Sequence, residues 1–199
     1  MTTEAKLERA LQRLHDAIAR GRTVPYCRSL WSQFVRLRDG ERCVVCHDDS
    51  SVAAHHIIRK SLFAEAHLQT GNGISLCRSC HKQPHEVFNR RPNLNLPMDA
   101  EGGEDIELLT EFFWRLLTDA KERNLLRDDF YFLSDHALGA FKITQGFAPH
   151  TPFPGGRLEQ AYLIWRQTPR GMLDAVLAAN GFALPPDFIQ QGHLTVWFD

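Results

Sequence analysis

Two copies of one short pattern, Cys43-Val44-Val45-Cys46-His47 and Cys77-Arg78-Ser79-Cys80-His81, hold four of the chain's five cysteines and flank a His55-His56 pair. Two C-x-x-C pairs about thirty residues apart suit a closed tetrahedral zinc site, because each short loop can wrap two sulfurs onto one ion. Such a clamp pins both ends of the segment between its loops, which draws His55, His56, Asn72, His81 and His85 toward one another. An imidazole can ligate a metal ion and, titrating at about pH 6.5, can also take up a proton near neutrality. Metal binding and proton transfer are therefore the chemistries this cluster offers.

C-x-x-C-H is also, formally, the attachment sequence of a c-type haem. A dihaem protein would need export, and the N-terminal segment argues against it. Leu7, Leu11, Leu14 and Ile18 recur there at helical spacing among charges, unlike the continuous apolar core of a signal peptide. No stretch approaches the roughly 20 apolar residues of a membrane span. The expectation is a cytoplasmic protein without a membrane anchor, whose paired cysteines ligate metal rather than form disulfides. Cys27, without a partner, is expected to be a buried thiol.

The elements that must position these residues can be read from periodicity. A first helix stops near Gly21, and a second runs from Cys27 to Arg38 on Leu30, Trp31, Phe34, Val35 and Leu37, ending at Asp39-Gly40. The short, partly β-branched run Val52 to Ile58 follows the turn-like Asp48-Asp49-Ser50-Ser51 and predicts a two-stranded hairpin there. Gly71-Asn72-Gly73 reads as a tight turn, and Ser79 to Asn89 as a helix with Pro84 in its first turn. Beyond a Pro- and Gly-rich linker, Ile106, Leu109, Phe112, Phe113, Leu116 and Leu117 give a further helix. Thr168-Pro169 opens another, ended by Asn180-Gly181. The aromatic residues Phe112, Phe113, Trp114, Phe130, Tyr131, Phe132 and Phe141 are expected to form a core.

The 199 residues, 43% of them hydrophobic, are enough to bury a core, and the net charge of −1 conceals an asymmetry. Residues 1–98 carry 15 Lys and Arg against 9 Asp and Glu, a net of +6, whereas residues 99–199 carry 8 against 15, a net of −7. The basic half, which also holds the cysteines and histidines, is the one expected to meet a polyanion. Arg36, Arg38, Arg42, Arg59, Lys60, Arg78 and Lys82 surround the cluster and are candidate contacts to backbone phosphates.

From Trp31 to Phe88 the sequence resembles the HNH endonuclease family. Trp31 with Val35-Arg36-Leu37-Arg38-Asp39-Gly40 is similar to the family's lead-in to the first cysteine pair, and Ala54-His55-His56-Ile57-Ile58 to its first-histidine strand. Asn72-Gly73-Ile74-Ser75-Leu76-Cys77 is similar to the asparagine segment, and Cys80-His81 to the final motif. The resemblance implies a ββα-metal fold around one catalytic ion. It implies that His55 is a metal ligand, that His56 is the general base toward the attacking water, and that Asn72 holds the loop and base in orientation. His81 and His85, four apart on a helix, lie on one face and can share that ion. Cys43, Cys46, Cys77 and Cys80 would hold a structural Zn2+. The catalytic ion would be Mg2+ or Mn2+, with Zn2+ or Ni2+ as the alternative that three imidazoles suit.

The expected fold class is therefore α+β: a mainly helical chain with a small ββα-metal, zinc-bound nuclease core in its N-terminal half. Its expected divisions are an N-terminal helix (1–26), the nuclease module (27–92), a linker (93–104) and a mainly helical domain (105–199). The expected function is metal-dependent hydrolysis of phosphodiester bonds in DNA, with RNA as the alternative substrate, and family analogy suggests restriction or phage defence. The competing expectation is a zinc-stabilised module that binds nucleic acid or protein without catalysis. The acidic half is the expected site of a homodimer contact or a protein partner. His15, His67, His136, His150 and His193 are expected to be surface or satisfied core residues.

Overall fold

The structure, a computed structural model, describes residues 2–60, 63–86, 105–167, 178–181, 188–191 and 194–197, with only the backbone given for 85–86 and for the last two segments. Helix α1 (Thr3–Ala19) is capped by Thr2, whose hydroxyl accepts from the Ala5 N–H, and it buries Leu7, Leu11, Leu14 and Ala17. Its apolar stripe turns onto Ala17, leaving Ile18 exposed. Gly21, at φ +62°, ends it in the left-handed region that glycine enters without a steric penalty. Helix α2 (Val24–Arg38) begins three residues before the predicted start, because Pro25 has its φ already set for a first turn. Cys27 is buried on it, as expected.

The predicted local hairpin at 52–58 is not formed. Strand β1 (Ala53–His56) pairs antiparallel with the distant β2 (Gly73–Leu76), in a register that sets His55 opposite Ile74 and His56 opposite Gly73. Between them lie two 3-10 turns, Ala64–Leu68 and Thr70–Asn72, and the tight turn expected at Gly71-Asn72-Gly73 is the second of these, leading directly into β2. Helix α3 (Arg78–Glu86) then completes the ββα unit. Pro84 sits inside α3 rather than in its first turn, because the helix starts immediately after Cys77. The proline ring removes the N–H that would have bonded the Cys80 carbonyl.

The remaining helices are α4 (Ile106–Glu122), α5 (Asp135–Thr144) and α6 (Arg157–Arg166), the first two capped by Asp105 and Ser134. A second antiparallel pair, β3 (Phe188–Gln191) with β4 (Leu194–Trp197), is strand structure that helical periodicity did not foresee. The fold class is α+β and mainly helical, with the ββα unit in the N-terminal half. The expected linker at 93–104 and most of the helix expected from Thr168 lie outside the described residues. Among the described residues, no helix is long and apolar enough to cross a membrane.

One apolar core joins both halves of the chain. Leu7 of α1, Phe34 of α2 and Ile74 of β2 belong to the same buried cluster as Phe113 of α4, Phe141 of α5 and Trp165 of α6. The expected aromatic core is present at Phe112, Phe113, Phe130, Tyr131 and Phe141, while Trp114 and Phe132 are exposed. A smaller cluster of Leu14, Ala17, Cys27, Leu30, Trp31 and Val35 fixes α1 to α2.

A polar brace also ties the halves together. The Gly71 N–H donates to the Phe132 carbonyl at 2.9 Å, the Phe132 N–H to Thr70 Oγ1 at 2.9 Å, and the Ser134 N–H to Gln69 Oε1 at 2.8 Å. A Cβ on Gly71 would lie 2.6 Å from the Tyr131 carbonyl oxygen, so glycine is needed for this approach. At the centre is Arg38, fully buried and stacked on the Tyr131 ring at 4.2 Å. Its guanidinium pairs with Asp39 at 2.7 Å and donates to the carbonyls of Thr70 (2.6 Å), Gly73 (2.6 Å) and Phe130 (3.3 Å). Asp39 in turn accepts the Ser75 N–H at 2.8 Å. Buried charges persist only when paired and hydrogen-bonded to this extent.

Candidate active site

The first cysteine loop is shaped by its own backbone. The His47 N–H donates to the Cys43 carbonyl at 2.8 Å, the Cys43 N–H donates to the Asp48 carbonyl at 2.8 Å, and His47 takes φ +64° to close the loop. In the second loop, the His81 N–H donates to the Cys77 carbonyl at 2.9 Å. The Val44 N–H donates to the Ser75 carbonyl, which anchors the first loop to β2. The four sulfurs of Cys43, Cys46, Cys77 and Cys80 consequently lie within 4.8 Å of one another, with Cys46 and Cys77 3.5 Å apart. The backbone N–H of Cys80 and the Ser79 hydroxyl draw the Cys77 thiol down to about 6, while burial and the neighbouring sulfurs push the Cys80 thiol up. This donor set fits a structural zinc.

Neighbouring residues on a strand face opposite ways, and the two histidines of β1 do so. His55 lies edge-to-face with His81 of α3, their ring centroids 4.9 Å apart, and 6.0 Å from the Phe112 ring of α4. His85 is on the same helix, four residues beyond His81, and only its backbone is described.

His56 turns to the other side and stacks on Trp31 of α2, with centroids 4.1 Å apart and planes 6° from parallel. Trp31 is held in turn by its own N–H on the Gln69 carbonyl at 3.1 Å. Gly73 permits this packing, since a Cβ there would lie 2.6 Å from the indole and 2.7 Å from Val35. His56 Nε2 is 2.8 Å from the His67 carbonyl oxygen. A carbonyl can only accept, so Nε2 carries the hydrogen, and Nδ1 of the neutral ring keeps its lone pair. Burial lowers the His56 pKa from its ordinary value, and the charges of Arg28 and Lys60 lower it further against the opposing pull of the His67 hydrogen bond. His56 is therefore a neutral imidazole at pH 7.

Asn72 is fully buried, and its described hydrogen bonds go to backbone groups. Its side chain accepts the Ile58 N–H at 2.8 Å and donates to the carbonyls of Ile58 (3.0 Å) and Ala66 (3.2 Å). It thereby clips the end of β1 to the turn whose next residue, His67, supplies the oxygen that orients His56. His67 contributes a backbone atom here, for which the sequence holds no side-chain signal.

The basic residues separate on placement. Arg38 is not a phosphate contact: it is fully buried in the brace, with its guanidinium on backbone carbonyls and Asp39. Arg42 is engaged with the buried Asp119 of α4 at 2.6 Å and also contacts His47, whereas Arg36 pairs loosely with Glu41 at 3.8 Å. Arg59 is half-buried, while Lys60, Arg78 and Lys82 are exposed. Arg78 and Lys82 line an open cavity of about 400 Å³ beside the cysteine loops. A second open cavity, of about 440 Å³, lies beside His56 and is lined by Arg28, Ser29 and Ser32 of α2 with Pro25, Trp31 and Ala54. Those three polar residues were not singled out in the sequence, although positions 25, 28, 29 and 32 share one helical face.

No curated protein and no solved structure matches this chain. One family model does match, over the stretch that carries both cysteine loops, β1, β2 and α3. Residues 43–86 match the HNH endonuclease family model and carry the four-cysteine cluster at the start of the match and at the head of α3.

Proposed function

We propose that this chain is a metal-dependent endonuclease that hydrolyses phosphodiester bonds in DNA, with neutral His56 as its general base. The observation that carries this reading is the fixed tautomer of His56, which leaves Nδ1 as the proton-accepting nitrogen. His56 Nδ1 takes the proton of the attacking water, and the charged ring so formed keeps its Nε2–H on the His67 carbonyl. Trp31 holds the ring plane fixed through proton uptake and loss. Asn72 acts by positioning, through the 58–67 connection.

His55 and His81 approach each other as imidazoles that could share a divalent ion would, and His85 is the third ligand we assign. A divalent ion held there would supply charge neutralisation for the phosphate and for the departing oxygen. Mg2+ or Mn2+ is the ion we assign to this site, with Zn2+ or Ni2+ as the alternative that an all-imidazole set suits. Restriction or phage defence is the setting we propose, by analogy of arrangement alone.

The test is direct. Zinc-loaded protein incubated with supercoiled plasmid and Mg2+ or Mn2+ should give nicked and then linear DNA, and excess EDTA should stop the reaction. Intact plasmid with every divalent ion tried, alongside retained DNA binding, would favour a zinc-stabilised binding module instead.

A further inference from the structure

The cavity beside His56 has a composition that the hydrolytic reaction does not use. Pro25, Arg28, Ser29 and Ser32 form a stripe at positions i, i+3, i+4 and i+7 of α2, opposite the apolar face that carries Cys27, Leu30 and Phe34, with Trp31 also lining the groove. Ala54 and His56, two apart on β1, present the same strand face to this stripe. The space between is an open groove of about 440 Å³ with the base in its wall. None of its lining residues carries a carboxylate, and Arg28 and Ser29 are exposed to solvent. Two hydroxyls and a guanidinium on one helical face, with no opposing acid, match the non-bridging oxygens of a phosphodiester strand.

We propose that this groove seats one strand of the DNA substrate, with Arg28, Ser29 and Ser32 donating to a backbone phosphate adjacent to the scissile one. The assignment rests on the nuclease reading above and extends it by giving the substrate a path across α2. It supplies register along the strand and carries no base specificity, because the donors are placed for phosphate oxygens.

The experiment measures binding of a short end-labelled DNA duplex to the full zinc-loaded chain by fluorescence anisotropy across a salt series, with plasmid cleavage in parallel. Arg28→Ala should lower the slope of log affinity against log salt by about one. Arg28→Glu should weaken binding roughly tenfold or more, since a charge-assisted hydrogen bond is replaced by repulsion. Arg9→Ala on the exposed face of α1 removes the same charge elsewhere and should leave the slope unchanged. If Arg28→Glu does not fold, Ser29→Asp places a negative charge on the same wall and should weaken binding similarly.

Binding and salt slope unchanged in the Arg28 and Ser29 variants would overturn the groove, whatever the chain cleaves. Wild-type protein that never cuts but loses DNA with these variants would uphold the groove and remove the hydrolytic reading. Tighter binding of an RNA duplex of the same sequence would overturn DNA as the occupant.

Discussion

At the scale of single residues, the proposed chemistry depends on which nitrogen of His56 carries its hydrogen. The His67 carbonyl decides this, and burial decides the charge. Because the folded pKa is held below the ordinary 6.5, the ring stays neutral further into acid than a free imidazole. The cleavage rate should therefore be flat at neutral pH and fall with a midpoint below 6.5; a midpoint above that value in the pH–rate profile would contradict the burial argument. The same shift links to stability. As pH falls, the unfolded ring binds its proton first, so the contribution is complete above 6.5 and is lost on acidification toward the lower folded value. The cysteines make a different prediction. Cys43→Ser should abolish zinc binding and, because structural zinc contributes folding free energy, should unfold the module as read by circular dichroism and metal content.

At the scale of elements, α2 and the 64–73 connection do most of the positioning. Arg38→Met would leave Asp39 buried with the Ser75 N–H as its remaining described partner, and the loss should be about 3–5 kcal/mol in denaturant unfolding. Gly73→Ala is a finer probe, since its Cβ meets the indole that backs His56. It should cost about 1–3 kcal/mol and change the near-ultraviolet signal of Trp31, with cleavage falling by more than binding. Unchanged kcat with a shifted Trp31 signal would remove the indole from the account. These elements were only partly legible in the sequence. The helices carrying Leu7 and Leu30 announced themselves through local periodicity, and the cysteine loops through local spacing. The partner of β1 did not, because His55 and His56 meet Ile74 and Gly73 across an irregular connection. Arg38 looked like one more basic residue, since the carbonyls that bury it come from Thr70, Gly73 and Phe130.

At the scale of the whole molecule, the acidic helical half is packed into the same core as the ββα unit. Neither the brace from Phe132 to Gly71 nor the Asp119 fork to Arg42 and Arg123 could be read from the opposite charges of the two halves. The shared core predicts one unfolding transition in which zinc is released with the helical signal. Phe113→Ala, far from the cysteines in sequence, should destabilise by about 3–5 kcal/mol and bring zinc release forward to the same extent. Zinc release at an unchanged midpoint would mean that the halves unfold separately. The central claim, that this architecture exists to present His56 to water at a DNA phosphate, is tested most directly by cleavage of plasmid DNA by the His56→Ala chain. At matched zinc content, folding and divalent ion concentration, it should bind DNA like the wild type and leave the plasmid intact; nicking at the wild-type rate would contradict the account.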